Sequence, residues 1–596
     1  MPKRWRIRPH DPAAVAALER SAGVPDRKAF TAAGSVTPRA ASSAAITPGT
    51  LADLHDPELL PGVPEAADRI LAAARAGRKI GVHGDYDADG MSATAILVGC
   101  LEALDAKPAW YVPDRFEEGY GLKTASLEAL ARDGADLVVT VDCGIRSLAE
   151  AARARELGLG LVVTDHHEFG AELPAADVVV HPRLPGGGYP FGDLCGAAVA
   201  FKLAWAIATR ASGSKQVTPR LREMLLRSIG LAALGTVTDV MPLVGENRIL
   251  VRHGLPCLRA KGGPGIDRLV ALTGIAGKSA LDSEDVAFKI GPRLNAAGRM
   301  DHAGHGVELL VTADAARAAS LADWLHERNA EREGVERSLQ LAATKQARER
   351  FDPDHDAALV LADRGWHKGV IGIVAGRLVE RWHRPVVMIA RGAHEGCAAT
   401  GSVRGVPGVD VQAVLESCRH LLVACGGHEA AAGLTIDDGR IDEFRAAFVA
   451  EVDRRLSPEA RRPQLVLDGE TSLASLTREA VEQLEQLAPF GQGNRRPLLC
   501  ASGVALAEPA RAIGASGKTL AMQLVQHGAR MRGVAFGAAE WLSHLPPAGQ
   551  PFHVAFRPKI NEFRGRRTAE LEIVDWRPDG VPVDADLPDL AVTAGA

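Results

Sequence analysis

The segment His83-Gly84-Asp85-Tyr86-Asp87-Ala88-Asp89-Gly90 places an imidazole and three carboxylates within a single short stretch. Carboxylates this close repel one another and cannot all stay ionised and unpaired; a hard divalent cation is the common remedy. Two further groups of metal-type donors follow: Asp142 in Val141-Asp142-Cys143-Gly144, and Asp165-His166-His167. Taken singly, an aspartate after a strand is more often a turn or helix cap than a ligand, and adjacent histidines are as often hydrogen-bonded core residues. The coincidence of three such groups is what points to a metal centre. The donors are carboxylates and imidazoles without thiolates, which favours Mn²⁺ or Mg²⁺ over structural zinc. There are carboxylates enough for two ions, and a pair about 3.5–4 Å apart suits phosphoryl transfer.

These donors need elements to bring them together. Apolar runs at 79–82, 110–112, 136–141, 161–164 and 177–180 alternate with helical patterns at 92–104, 125–132 and 148–157. That alternation predicts a doubly wound α/β domain with a parallel sheet. Each donor group falls just past a predicted strand, at the carboxyl edge where open parallel sheets bind ligands.

At about 100–200 residues per domain, a chain of this length is expected to hold three or four domains. An N-terminal arm, 1–50, is rich in Ala, Ser, Pro and Thr, with a short helix at 13–21. A catalytic α/β domain is assigned to 51–312, helical from residue 195 to about residue 310, and a polar connecting helix to 313–350. A smaller α/β domain, 351–455, has strands at 357–361, 385–389 and 398–402 and helices near 370–381 and 409–418. Short alternating runs at 520–525, 530–536, 553–558 and 569–574 predict a small β-barrel or sandwich over 462–577. The Pro/Asp-rich tail, 578–596, is expected to be disordered.

The formal net charge of −5 gives no global basic signature, so nucleic-acid binding must come from a local basic surface. None of the eight cysteines forms a Cys-x-x-Cys pair, which argues against a zinc ribbon or a disulfide framework and fits a cytoplasmic protein. The basic N-terminus lacks the apolar core of a secretory signal. No charge-free apolar run reaches the roughly 18 residues of a membrane span, so no membrane association is expected.

HGDYDADG, VDCG and TDHH, followed by Gly235-Thr236-Val237-Thr238-Asp239-Val240-Met241-Pro242-Leu243, resemble the successive motifs of the DHH phosphoesterase superfamily. The resemblance is to its bacterial single-strand-specific 5′→3′ exodeoxyribonucleases. It continues through Gly291-Pro292-Arg293-Leu294-Asn295-Ala296-Ala297-Gly298-Arg299, and through Gly401-Ser402-Val403-Arg404-Gly405 and Gly426-Gly427-His428-Glu429-Ala430-Ala431-Ala432-Gly433, which are similar to the DHH-associated domain. Pro489-Phe490-Gly491-Gln492-Gly493-Asn494 resembles the approach to an oligonucleotide-binding (OB) barrel. Roughly residues 50 to 577 are covered.

The resemblance implies His83, Asp87, Asp89, His166 and Asp239 as ligands of two Mn²⁺ or Mg²⁺ ions, with Asp142 bridging both. Asp85 is an additional acidic position, on an ion or behind the ligands, and His167 is expected near the scissile phosphate. Asp85, Asp142, His166 and His167 are thus the candidate catalytic residues. Arg115, Ser402 and Arg404 are implied to hold the 5′-terminal phosphate, arginine suiting this because its planar fork pairs bidentately with phosphate. Gly426 and Gly427 would let the backbone approach a phosphate, with His428 beside it. Asn295 and Arg299 are expected on a helix edge facing the strand, while Arg293 is read as structural. In the barrel, Arg511, Lys518, Arg530 and Arg532 supply charge, Phe536, Trp541 and Phe556 are possible stacking faces, and Phe563, Arg564, Arg566 and Arg567 are the preferred DNA contact. One departure is Gly405, where a serine often follows the arginine.

The implied activity is hydrolysis of single-stranded DNA from a free 5′ end to 5′-mononucleotides, in recombination and repair. A single-strand-binding protein and a helicase are its expected partners. No further partner-binding domain is expected after the barrel. Two alternatives are a DHH phosphodiesterase of short oligonucleotides or cyclic dinucleotides, which needs no barrel, and a non-catalytic single-strand-binding scaffold, which would have lost metal ligands.

Overall fold

A computed structural model describes residues 3–8, 49–352, 355–392, 398–457, 460–514, 517–563 and 565–580. The expected helix at 13–21, most of the arm and nearly all of the tail lie outside these residues. The described chain forms two compact units. One takes in Trp5–Asn295, His302–Asp323 and the residues from Val466 on; the other is built mainly from Trp324–Leu465.

The larger unit holds a five-stranded, all-parallel sheet built from β1 (Ile80–His83), β2 (Ala109–Tyr111), β3 (Leu137–Val141), β4 (Gly160–Thr164) and β5 (Val178–Val180). Spatially the order is β2-β1-β3-β4-β5, so the order reverses between β1 and β3. The runs IGVH and LVVTV are buried at every position, as expected of strands covered on both faces. The connecting helices are α1 (Ala88–Ala103), α2 (Thr124–Arg132) and α3 (Leu148–Glu156). α1 is apolar nearly all round, the mark of a helix packed on every side. It lies against α4 (Gly196–Ser212) and α5 (Pro219–Thr238). α6 (Gly291–Met300) follows a π-helical turn, Val286–Ile290, and α7 (Ala315–Arg350) is a long helix leading into the smaller unit.

The smaller unit carries a second five-stranded sheet. Its strands are β6 (Leu359–Asp363), β7 (Val386–Ala390), β8 (Ala398–Arg404), β9 (Ala424–His428) and β10 (Ala431–Asp437), in the order β9-β10-β8-β7-β6. β6 and β7 are parallel and flank helix α8 (Ile371–Trp382); the other pairings are antiparallel. Alternation sends Ala399, Val403, Ala432, Leu434 and Ile436 into the core on one face. The other face of β8 carries Ser402 and Arg404.

The last strands are β11 (Leu499–Leu506), β12 (Arg511–Ile513), β13 (Thr519–Gln526), β14 (Ala529–Ala535), β15 (Pro551–Phe563) and β16 (Arg566–Pro578). Pairing runs β11-β15-β16-β14-β13, and a further β11–β13 pairing closes the ring. This is a closed five-stranded barrel of the OB kind. Phe552, Val554, Phe556 and Leu571 fill its core, so Phe556 is a packing residue and offers no stacking face.

Candidate metal centre

The carboxyl ends of β1, β3 and β4 and the C-terminus of α5 converge on one cluster. Asp85, Asp87 and Asp142 offer ligand atoms within 4.8 Å of one another, as do Asp89, His166 and Asp239, and Asp142, His166 and His167. Six of the seven expected ligands, together with His167, therefore meet, with Asp142 shared between groups. His83 ends β1 beside them, its Nε2 buried and without a hydrogen-bond partner.

Local sequence explains the placement. Asp87 caps α1, its Oδ1 accepting from Asp89 N at 3.0 Å and Gly90 N at 3.1 Å. Asp89 receives the first amides of α4, Gly196 N at 2.7 Å and Ala197 N at 2.9 Å, so a helix N-terminus braces it. Two glycines make this approach possible. A Cβ at Gly235 would lie 2.2 Å from Asp89 Oδ1, and one at Gly196 would lie 2.4 Å from Asp142. Asp142 itself has φ of +63°, and Val240, directly after Asp239, has φ of +58°. Such values in non-glycine residues are strained and concentrate at functional sites.

The electrostatics are those of an unneutralised cage. Burial and then the charge of Asp87 push Asp89 up to about 6. Burial, followed by neighbouring aspartates, also holds Asp85, Asp142 and Asp239 well above the carboxylate range. Burial lowers His83 to about 4 and His166 to about 3, so both rings are neutral and can ligate. His166 Nε2 lies 3.1 Å from Asp142 Oδ1, yet neither atom makes a hydrogen bond, and Asp85 Oδ1 is likewise buried without one. Four orphaned polar atoms facing one cluster fit divalent cations. Burial raises the Cys143 and Cys195 thiols well above their usual range, leaving a hard oxygen and imidazole donor set that suits Mn²⁺ or Mg²⁺.

Around the cage, the Arg115 guanidinium stacks on Tyr86 at 4.9 Å. The Asn295 amide oxygen accepts from Ala88 N at 2.8 Å and so braces the metal loop from α6. Arg299 Nη1 donates to the Gly369 carbonyl at 3.2 Å, and Arg293 Nη1 to the Lys289 carbonyl at 2.6 Å. In the smaller unit, Arg404 Nη1 donates to Ser402 Oγ at 3.0 Å. The register pairs Arg404 with Ala431 and Ser402 with Gly433, and these with His428 and Gly426. Ser402, Arg404, Gly426 and His428 thus share one sheet face, while Gly427 faces the opposite way. Gly372, in the first turn of α8, abuts this face: a Cβ there would lie 2.8 Å from Ser402 Oγ. In the barrel, Arg567 pairs with Glu482 at 3.1 Å and Arg532 with Glu570 at 3.2 Å, while Phe536 is exposed. Arg564 and the Phe563 side chain lie outside the described residues.

Two residues, Tyr120 and Phe288, escaped the sequence reading, whereas Asp165, expected among the metal-type donors, turns to His167. Tyr120 also contacts His167. Phe288, 75% exposed, stands on the π-helical turn before α6. Tyr120 is a single aromatic in a loop, and a π-helical turn leaves no periodic signal.

Comparison with known proteins follows the same three parts. Residues 79–232 match the DHH family, N-terminal domain, 355–455 the DHHA1 domain, and 467–575 the RecJ OB domain. The single-stranded-DNA-specific exonuclease RecJ of Escherichia coli is 37% identical over 534 residues, covering 86% of this chain and 90% of that protein. The chain belongs to the RecJ family. RecJ of Bacillus subtilis is 35% identical over 88% of this chain, which spans 64% of that relative's length. RecJ from Thermus thermophilus in complex with Mn²⁺ superposes with a TM-score of 0.82 at 32% identity, covering 98% of this chain and 81% of that one. Its complex with Mg²⁺ gives 0.73. These RecJ structures accord with the donor set found here.

Proposed function

We propose that this chain is a metal-dependent exonuclease that hydrolyses single-stranded DNA from its 5′ end and releases 5′-mononucleotides. The observation that carries the reading is the buried cluster around Asp142, with its four unpartnered atoms, in a chain of the RecJ family. His83, Asp85, Asp87, Asp89, Asp142, His166 and Asp239 would hold two ions, Asp142 serving both. When bound, two such ions acidify a water and neutralise charge on the attacking and leaving oxygens.

The protein's own groups do the rest. The α4 amides and the Asn295 oxygen keep Asp89 and the metal loop from moving. Asp165 holds a proton on His167, which stands beside Asp142 to donate to a phosphate oxygen. Arg115 is fixed over Tyr86, its fork presented to phosphate. Ser402, Arg404 and His428 form an anion cradle that suits a terminal 5′-phosphate. The barrel and the exposed Phe288 supply contacts for the continuing strand.

A free single-stranded 5′ end arises where duplex is unwound, so a helicase supplies the substrate and a single-strand-binding protein competes for or presents it. The seven cysteines among the described residues are unpaired, which supports a reducing, cytoplasmic location; the exonuclease reading puts the chain's work in recombination and repair. No described helix is long and apolar enough to cross a membrane.

The test is a product ladder from end-labelled single-stranded and duplex DNA with Mn²⁺, Mg²⁺ or EDTA. The reading expects 5′-mononucleotides from the single strand only, none in EDTA, and none from Asp142→Ala. Cleavage that persists in EDTA, or begins at the 3′ end, overturns it.

A further inference from the structure

We propose that Cys143 is a positioning residue for the metal centre: its sulfur accepts a hydrogen bond from His83 Nδ1 and so fixes the imidazole tautomer whose Nε2 lone pair serves an ion. The inference rests on the reading of His83 as a ligand.

His83 ends β1 and Cys143 follows β3 on the neighbouring strand, and both are fully buried. Cys143 Sγ lies 3.5 Å from His83 Nδ1 and 3.8 Å from the His83 carbonyl oxygen. A thiol has one hydrogen to give and lone pairs to accept with, while a neutral imidazole has one N–H and one lone pair. The carbonyl oxygen can only accept, so the S–H is directed to it. The sulfur lone pair then faces Nδ1, and Nδ1 must supply the hydrogen between them. That assignment leaves the ring lone pair on Nε2, the nitrogen that is buried with no protein partner.

The remaining contacts hold this arrangement in place. The His83 ring stacks on Tyr111, centroids 5.6 Å apart at 22°. The Thr140 hydroxyl donates to the Cys143 carbonyl at 2.7 Å, anchoring the cysteine backbone. A carboxylate or carbonyl usually orients a metal-bound histidine through its second nitrogen. Here a thiol does so, placed one residue after the carboxylate shared between the ligand groups. One short segment therefore supplies Asp142 and also aims His83.

The test titrates metal-free protein with Mn²⁺ by calorimetry for wild type, Cys143→Ser, Cys143→Val and His83→Ala, and records the thermal midpoint of each metal-free form. Serine, which can both donate and accept, is expected to bind Mn²⁺ almost as wild type does. Valine, near cysteine in size but without a lone pair, is expected to lose about 10- to 100-fold in affinity with little change in the metal-free midpoint. A packing role alone would move that midpoint and leave the affinity of the folded protein unchanged. Wild-type affinity in Cys143→Val, with affinity lost in His83→Ala, overturns the role of Cys143. Wild-type affinity in His83→Ala overturns instead the reading of His83 as a ligand. Should Cys143→Val not fold, Cys143→Ala replaces it, and equal losses in the alanine and serine variants overturn the proposal.

Discussion

The Tyr120 hydroxyl lies 2.9 Å from His167 Nδ1, the same nitrogen that Asp165 Oδ1 approaches to 2.8 Å. Tyr120 also lies 3.3 Å from the Asp142 carbonyl, to which it donates. Its oxygen is thereby left to share the Nδ1 hydrogen with Asp165. Burial works against a charged His167, but the Asp165 carboxylate outweighs it and raises the ring to about 9. Tyr120→Phe keeps the ring contact and removes the shared acceptor. Its kcat on single-stranded DNA is expected to fall about ten-fold, in line with a hydrogen bond to a charged group, with Mn²⁺ affinity unchanged. An unchanged kcat would remove Tyr120 from the mechanism.

The caged carboxylates predict how metal stabilisation varies with pH. Asp89 rises from an ordinary carboxylate value to about 6 in the fold, through burial first and Asp87 second. A raised folded value means that the native state binds more protons than the unfolded chain between about pH 4 and 6. Metal-free stability is therefore fullest below that window and falls as pH rises through it. Ions that replace those protons should stabilise more at pH 8 than at pH 5. Thermal midpoints with and without Mn²⁺ at the two pH values check this, and an equal or smaller shift at pH 8 contradicts it.

Arg404 shares a sheet face with Ser402, Gly426 and His428. If this face holds the terminal phosphate, wild type should degrade 5′-phosphorylated strands faster than 5′-hydroxyl strands. Arg404→Ala should erase that preference, costing about 10- to 100-fold on the phosphorylated substrate, as for a charge-assisted hydrogen bond. A variant that slows both substrates equally would assign Arg404 another task.

Phe288 projects from a turn whose flanks are pinned. Val286 and Ile290 are buried, Lys289 pairs with the buried Asp285 at 2.9 Å, and the Ser283 hydroxyl donates to the Phe490 carbonyl at the approach to the barrel. Gly291 abuts Thr238, next to Asp239. An aromatic held this rigidly in solvent between metal site and barrel suits an unstacked base. Stacking contributes about 1–3 kcal/mol per base, so Phe288→Ala should raise KM about ten-fold on long strands and Phe288→Trp should restore it. Unchanged KM in the alanine variant would rule out the contact.

Strands β1 to β5 were legible because buried parallel strands are nearly continuous apolar runs. The donor groups at 83–89, 142 and 165–167 were legible because they fall at strand ends, whereas Asp239, at the C-terminus of α5, came from the family resemblance alone. Sequence pattern starts α1 at residue 92 rather than 88, since Asp-Ala-Asp-Gly resembles a loop until Asp87 is seen capping it. The β9–β10 hairpin and β11 escaped because their alanines and glycines carry little strand preference. The Asn295 contact with the Ala88 amide, 207 residues away, left no trace in the sequence, because helical spacing shows only which face of α6 a residue shares.

The glycines at 196 and 235 carry a consequence for ion choice. With helix backbone packed directly against Asp142 and Asp89, these carboxylates cannot retreat to make room. Ca²⁺ needs oxygen distances of about 2.3–2.6 Å and six to eight ligands, against about 2.0–2.1 Å for Mg²⁺. A cage whose walls are main chain selects by ionic radius, so calcium should enter only by forcing α4 and α5 away from α1 and should act as an inhibitor rather than a substitute.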